Sequence, residues 1–387
     1  MKVFLDHAST TPVRAEALEA LNQALIKIGN PSSVHSHGQS VRADLEDARD
    51  DLAQAVGCNR SEVIFNSGGT ESNNQAIKGI FWARQQDRKR HIIISSPTEH
   101  HALIDPIEWL VKHESAEFVE VKILPSGMVD LEHLKLLIST HSDEIALISL
   151  MWVNNETGVI ADIPEVVKLA GNIPVHSDAV AAFGHIPIDF AASGLTAMSI
   201  SGHKTGAPIG VGALIVSRNF KPESLLHGGG QERGLRSGTM NYPMARAFSV
   251  AALRSVSEMT ARQAALQELR DEFEERILEA IPTARRSAEG SVRVGHNSNL
   301  IFPGTKSDSM LFLLDQQGLS VSAGSACQAG VLGPSHVLVG MGHSIEDASA
   351  CLRVTLGHNT TRQDIEFAIS AIKAAHAPAL AASAISG

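Results

Sequence analysis

Two hydrophobic periods alternate along the chain. Between residues 13 and 28, apolar side chains at Ala17, Leu18, Leu21, Leu25 and Ile28 predict a helix stopped by Gly29. A second helix is expected over 39–56, ending at Gly57. Short apolar runs bounded by turn residues then predict strands: Ser61–Phe65, His91–Ser95, Ile145–Val153, Pro174–His176, Ala197–Ser201 and Val211–Ser217. Helical segments lie between most of them, one running from Gly69 towards Gln86. Strand–helix alternation of this kind argues for an α/β fold with a mostly parallel sheet covered on both faces. Residues 3–12 read as a short strand and turn closing on Ser9-Thr10-Thr11-Pro12. A long helical region over 241–280 leads to a second, smaller unit with strands at 299–302 and 351–356 and helices at 307–316, 335–341 and 361–376. The Ala-rich tail after Pro378 is expected to fray.

The polar residues that follow the strands carry the chemistry. In open α/β sheets a ligand sits beyond the carboxyl ends of the strands. His100, Asn155, Asp178 and Lys204 each fall just after such a strand, so they can converge on one crevice. Lys204 follows the run Ala197-Met198-Ser199-Ile200-Ser201. A lysine at a strand end among small residues is partly desolvated, which lowers its pKa and suits it to a Schiff base with an aldehyde cofactor. Around an aromatic, phosphorylated aldehyde, His100 can stack on the ring and Asn155 can bond a ring substituent. Asp178 can keep a ring nitrogen protonated, the charged form that acts as an electron sink. The turn Asn66-Ser67-Gly68-Gly69-Thr70-Glu71 between a strand and a helix offers free backbone N–H groups to a phosphate, without the spacing of a Walker loop. Taken one at a time, each of these residues is equally readable as an ordinary cap or turn residue.

Three further features stand out. Residues 227–239 hold five glycines, Arg233, Arg236 and the run Ser237-Gly238-Thr239, a composition suited to a mobile anion-seeking loop or to a plain flexible connection. Cys327 lies in a Gly/Ser/Ala stretch, the setting of an accessible nucleophile or of an incidental thiol, whereas Cys351 sits inside an apolar strand and Cys58 reads as incidental. Arg353 on the final strand suits a bidentate grip on a carboxylate or a salt bridge between the two units.

Composition narrows the function classes. With 387 residues, 43% hydrophobic and 19% charged, the chain can build a sizeable core. A formal charge of −10 with interspersed signs argues against nucleic acid as the main partner. No apolar run is long enough to span a bilayer, and Met1–His7 lacks the apolar stretch of a signal peptide. Three cysteines without C-x-x-C spacing argue against a disulfide framework or zinc site and for a reducing, cytoplasmic setting. The pairs His35/His37 and His100/His101 lack a matched carboxylate or cysteine set, so no metal is expected.

These motifs together resemble the cysteine desulfurases of the NifS/IscS type, pyridoxal-phosphate (PLP) enzymes of the class V aminotransferase group. The resemblance rests on Leu5–Pro12, Gly29-Asn30-Pro31-Ser32-Ser33, Ser67–Asn74, Glu99-His100-His101, Asn154-Asn155-Glu156-Thr157-Gly158, Ser201-Gly202-His203-Lys204, the loop 228–239 and Gly324-Ser325-Ala326-Cys327, and it spans nearly the whole chain. It implies a fold type I enzyme: a large PLP-binding domain (13–255) with a mostly parallel seven-stranded sheet, and a smaller α+β domain (1–12 and 256–387) carrying the Cys327 loop. It implies that Lys204 binds PLP covalently and that Asp178 pairs with the pyridine nitrogen. His100 would stack on the ring, while Gly69, Thr70, Ser201 and His203 surround the phosphate, joined by Thr239 from the other subunit of a homodimer. Asn155 and Arg353 would bind the carboxylate of L-cysteine, Asn155 also lying near the ring oxygen. Cys327 would take the sulfur as a persulfide for a sulfur-acceptor protein, such as an iron–sulfur scaffold, and His100 would move the thiol proton. The resemblance also admits a selenocysteine lyase, another class V enzyme or a weakly active sulfur-relay protein. One departure gives that last reading weight: the family's glutamine three residues after the aspartate is Ala181 here. The continuation Thr205-Gly206-Ala207-Pro208 after Lys204 departs from the family's usual turn as well.

Overall fold

The computed structural model describes residues 2–85, 90–324 and 333–385; Cys327 lies outside them. In chain order the elements begin with β1 (Val3–Phe4), α1 (Ala15–Leu25), α2 (Ser36–Val56), β2 (Val63–Asn66), α3 (Gly69–Ala83), β3 (Ile92–Ser95), α4 (His101–Glu114) and β4 (Glu117–Glu120). They continue with α5 (Leu131–His141), β5 (Ile145–Ser149), α6 (Ile163–Ala170), β6 (Val175–Asp178), α7 (Phe190–Ser193), β7 (Ala197–Ser201) and β8 (Gly212–Val216). A helix of 39 residues, α8 (Tyr242–Ala280), precedes β9 (Arg285–Arg286), β10 (Asn297–Ile301), α9 (Ser307–Gln316), β11 (Leu319–Ser320), α10 (His336–Gly340), α11 (Ile345–Ala348), β12 (Cys351–Thr355) and α12 (Arg362–Ile385).

Among the described residues, seven strands form the central sheet in the order β2-β8-β7-β6-β5-β3-β4. β8 runs antiparallel to β2 and β7, and the other pairs are parallel. Every residue of β3, β5, β6 and β7 is buried, as a sheet packed on both faces requires. His176 ties three of these strands together: its ring nitrogens meet Ser149 Oγ on β5 at 2.8 Å and Ser199 Oγ on β7 at 2.9 Å. Burial drives its pKa down to about 3, so it is a neutral structural residue. Because β3, β5, β6 and β7 are parallel, their carboxyl ends open on one edge, and that edge hosts the site.

A second sheet has the order β12-β10-β9, and β1 pairs in parallel with β11. Val3 and Leu5 thereby enter a core with Phe273, Phe302, Leu352 and Ile372, far along the chain. α8 joins the two regions: Phe248 packs in the core of the large sheet, and Phe273 and Ile277 pack in the second.

Several expectations change. The first helix stops at Leu25, and Ile26 and Ile28, 81% and 83% exposed, lie beyond it. The strand beginning at Ile145 ends at Ser149, and β4, an edge strand with charged ends, has too little apolar pattern to read from sequence. The tail does not fray at Pro378: α12 continues through it to Ile385, with Ala375 and Ala379 buried on either side of the proline. Among the described residues, no helix is long and apolar enough to cross a membrane.

Candidate active site

A cavity of about 340 Å³ opens at the carboxyl edge of the sheet. It is lined by Gly69, Thr70, His100, Asn155, Asp178, Ser201, His203, Lys204 and Arg353, so residues spread over 285 positions of chain meet at one place. Ala181, His7, His185 and His296 also line it.

Lys204 sits in a short 3-10 turn directly after β7. Its ammonium donates to Ser9 O at 2.8 Å and to Ala8 O, so the N-terminal segment holds the side chain at the cavity wall. Burial depresses its pKa, the nearby Arg353 guanidinium adds to the effect, and Asp6 and Asp178 oppose it; the result is about 8 instead of 10.5. This is the lysine singled out in the sequence, and burial, the cause expected there, is the largest.

Asp178 is the last residue of β6 and 4% exposed. Asn73 Nδ2 on α3 donates to its Oδ2 at 2.6 Å, and the Val180 N–H donates to Oδ1 at 2.9 Å. The carboxylate is therefore held in one orientation. Asn73 was visible in the sequence only as part of a motif, with no role attached. His100 caps α4 by accepting from the Ala102 N–H at 3.0 Å through Nδ1, which orients the ring beside the cavity. Burial lowers its pKa, and Asp178 pulls the other way.

The Gly68-Gly69 turn leads into α3, whose N-terminus faces the cavity with Thr70, Ser201 and His203. Gly68 has φ +149°, and a side chain on Gly212 of the neighbouring β8 would lie 2.6 Å from Gly68 Cα. Glycine at both positions lets strand and turn approach closely. His203 is neutral, pushed to about 4 by burial and by Lys204.

Arg353, 3% exposed, bridges the cavity and the N-terminal segment. Its Nη2 donates to Asp6 Oδ1 at 2.9 Å and its Nη1 to Asn155 O at 3.0 Å, while Nε has no partner. Arg353 lines the cavity. Its salt bridge is to Asp6, within the smaller unit expected from the sequence, and the contact that crosses to the larger one is the bond to Asn155 O. Thr239 is not brought into this cavity within one chain. It lines a separate depression with Asn66, Ser67, Gly210 and Arg236. Nor are the arginines of the 227–239 loop free to seek anions. Arg236 Nε donates to Glu71 at 2.9 Å, Arg233 to Arg60 O at 3.2 Å, and the loop's Glu232 is buried against Arg49 at 2.8 Å. A loop pinned at these points is not the loose connection its glycines suggested.

The residues fit a phosphorylated aromatic aldehyde. The cavity falls within the range of small-molecule sites. A depressed lysine stands at one wall, a fixed carboxylate at another, and a helix N-terminus with two hydroxyls at a third. Asn155 Oδ1 and His203 Nδ1 are buried without a partner in the protein, an arrangement that a polar ligand would relieve.

Comparisons with known proteins agree with this geometry. Residues 3–367 match the family model "Aminotransferase class-V". An "IscS-like cysteine desulfurase" of Mycobacterium tuberculosis is 43% identical over 97% of this chain and 96% of its own length. The solved "NifS-like protein from Rickettsia africae ESF-5" superposes with a TM-score of 0.88 at 30% identity, covering 97% of this chain and 100% of that one. A structure described as "SspA in complex with cysteine" gives a TM-score of 0.79 at 30% identity over 92% of this chain and 98% of its own. With its lysine, its fixed aspartate and its glycine turn on one sheet edge, the chain belongs to the PLP-dependent class V aminotransferase family, among the cysteine desulfurases of the IscS/NifS type.

Proposed function

We propose that this chain converts L-cysteine to L-alanine and transfers the sulfur to its own Cys327, for delivery to an iron–sulfur or other thio-cofactor assembly protein. The observation that carries the reading is the burial of Lys204 between Asp178 and Arg353 in the same cavity as the Gly69/Thr70 helix terminus. Family membership supports the reaction, and the cysteine bound by a structural relative supports the substrate. In balance, L-cysteine and one thiol give L-alanine and one persulfide, with no outside oxidant or reductant. Release of alanine from L-cysteine, with sulfide appearing when a thiol reductant is added, tests it. Release of pyruvate, or turnover of selenocysteine alone, points instead to another class V activity.

PLP, when bound, supplies an electron sink for the pair released at the substrate Cα. Lys204 would hold it covalently, and its amine is the group placed to act as the base that moves the substrate Cα proton. Asp178, fixed by Asn73 and Val180, keeps the ring nitrogen charged. Thr70, Ser201 and His203 take the phosphate at the start of α3, where backbone N–H groups and the helix dipole favour an anion. Arg353 takes the substrate carboxylate and Asn155 lies beside it. His100, held neutral, stacks on the ring and accepts the proton of the substrate thiol. Cys327 then attacks the substrate sulfur.

Two observations support a homodimer. Thr239 lies away from the cavity of its own chain, and the apolar side chains of Ile26, Ile28 and Val34 are each more than four-fifths exposed. Contact with a second copy would cover that stretch and let Thr239 reach the neighbouring phosphate site. The free Cys58 and Cys351 are in keeping with a reducing, cytoplasmic setting.

The lowered pKa of Lys204 predicts how cofactor attachment depends on pH. The neutral amine is the nucleophile, so the rate of covalent attachment to the cofactor-free protein should rise with pH and level off above about 8. Stopped-flow absorbance measures it, and a plateau reached only near the ordinary lysine value would contradict the assignment.

Ala181 lines the cavity and offers no hydrogen-bond donor. An Ala181→Gln variant would add an amide N–H next to the ring oxygen. By stabilising that oxygen's anionic form, the amide makes the protonated linkage at Lys204 easier to deprotonate. The visible band of the variant is therefore expected to titrate at lower pH than that of the parent. Superimposable titrations would remove Ala181 from any part in tuning the cofactor.

A further inference from the structure

Behind Lys204 lies a second, much smaller cavity of about 20 Å³. His7, His185, Lys204 and His296 line it on one side and the main cavity on the other, so they form the wall between the two. Its far side is formed by Arg14, Arg262 and His358. This volume exceeds the roughly 10–15 Å³ that one water needs, so the cavity has room for one monatomic or water-sized occupant and not for a phosphate or a carboxylate.

The charges around it do not balance. Three guanidiniums share one close carboxylate: Glu258 lies 3.0 Å from Arg14, 2.6 Å from Arg254 and 3.7 Å from Arg262. Glu16 adds a second carboxylate, 3.6 Å from Arg254 on the exposed side. The other carboxylates acting on the lining are engaged elsewhere, Asp6 with Arg353 and Asp364 with Thr361. Arg14 and Arg262 are 7% and 10% exposed, so water screens them poorly.

Arg262 carries the second, independent sign. Its Nη2 donates to Ser255 O at 3.1 Å and Ser255 Oγ at 3.2 Å, whereas its buried Nη1 makes no hydrogen bond, Glu258 Oε2 lying 3.7 Å away, beyond hydrogen-bond reach. His296 Nδ1 is likewise buried and unpartnered, with its ring stacked on His185 at a centroid distance of 4.0 Å. Burial is the largest cause of the shifts at Arg262, His185 and His358, and positively charged neighbours add to it. Burial and then Arg14 lower Arg262 to about 10, and burial and then Arg262 lower His185 to about 3. Burial, with Arg14 and Arg262 after it, also lowers His358. The neutral imidazoles can donate an N–H but cannot supply the missing negative charge.

We propose that this cavity is a binding site for one small monovalent anion of halide size, held by Arg262 Nη1 with Arg14 and the imidazole wall, directly behind Lys204. A bound halide supplies the counter-charge that Glu258 alone does not, and it satisfies a buried guanidinium N–H. It would also sit on the opposite side of Lys204 from the substrate.

Chloride NMR line broadening of the PLP-loaded enzyme, prepared free of halide, tests this. The expected result is saturable broadening that bromide reverses. Arg262→Gln, which removes the charge and the unpaired donor, should weaken the apparent affinity at least about tenfold. His358→Glu places a carboxylate at the exposed rim of the cavity and should displace the ion while leaving the buried network alone. If Arg262→Gln does not fold, judged by its thermal melt, His358→Glu decides. Absence of saturable broadening means that the cavity holds only water, and broadening unchanged in the folded variants means that the ions bind elsewhere. Either result overturns the proposal.

Discussion

Lys204→Ala is expected to abolish turnover of L-cysteine, with a fall of at least about 10⁴-fold if the amine both holds the cofactor and moves the Cα proton. The structure also says what should survive. Asp178 is oriented by Asn73 and Val180 and the phosphate cradle belongs to α3 and β7, so neither depends on the lysine side chain. The variant should therefore bind PLP without a covalent link. Borohydride treatment followed by intact mass measurement separates the outcomes: the parent gains the mass of the reduced cofactor and the variant does not. A variant that still becomes covalently labelled at this cavity would mean that another amine serves, and the reading of Lys204 would fail. The loss of the two bonds from Nζ to Ala8 and Ser9 should loosen the N-terminal segment only locally, because β1 is independently paired with β11.

Cys327→Ala should leave cofactor binding intact and remove sulfur transfer. Turnover is expected to fall by about 10²–10⁴-fold, the usual worth of a positioned reacting group. L-Cysteine should still change the visible spectrum of the holoenzyme, because the amine and carboxylate contacts through Lys204 and Arg353 are untouched. Alanine and sulfide assays with a reductant present, alongside that spectral change, distinguish a lost acceptor from a lost fold. Full turnover in the variant would favour a lyase or other class V reaction that needs no protein thiol. The other two cysteines are poor substitutes: Cys351 is 1% exposed, and burial pushes the thiols of both Cys351 and Cys58 up to about 12.

Much of the site was legible because its residues lie at strand ends, and strand ends are marked by a change in local pattern. Ser201 closes an apolar run at its observed boundary, and Asp178, His100 and Asn155 each follow one. The helix at Gly69 was likewise visible from its glycine turn. His185 and His296 were not legible. They are 111 positions apart, neither sits in a recognisable motif, and nothing in a linear pattern brings their rings to 4.0 Å. Asp6 lies in the Leu5–Pro12 motif, but its meeting with Arg353 was not legible, because it depends on the N-terminal segment bridging to β12. The arginines of the glycine loop were misread because composition reports that a group is charged but not that a carboxylate such as Glu71 already occupies it.

By itself the order of residues determined the α/β architecture, the lysine, the aspartate and the glycine turn, since hydrophobic period and turn chemistry are local properties of the chain. Only the folded molecule decided how far Lys204 is desolvated, which carboxylates are already engaged, and where positive charge is left uncompensated. Those quantities depend on distance and burial between residues hundreds of positions apart, and Coulomb energies and solvent access are set by where the backbone brings them.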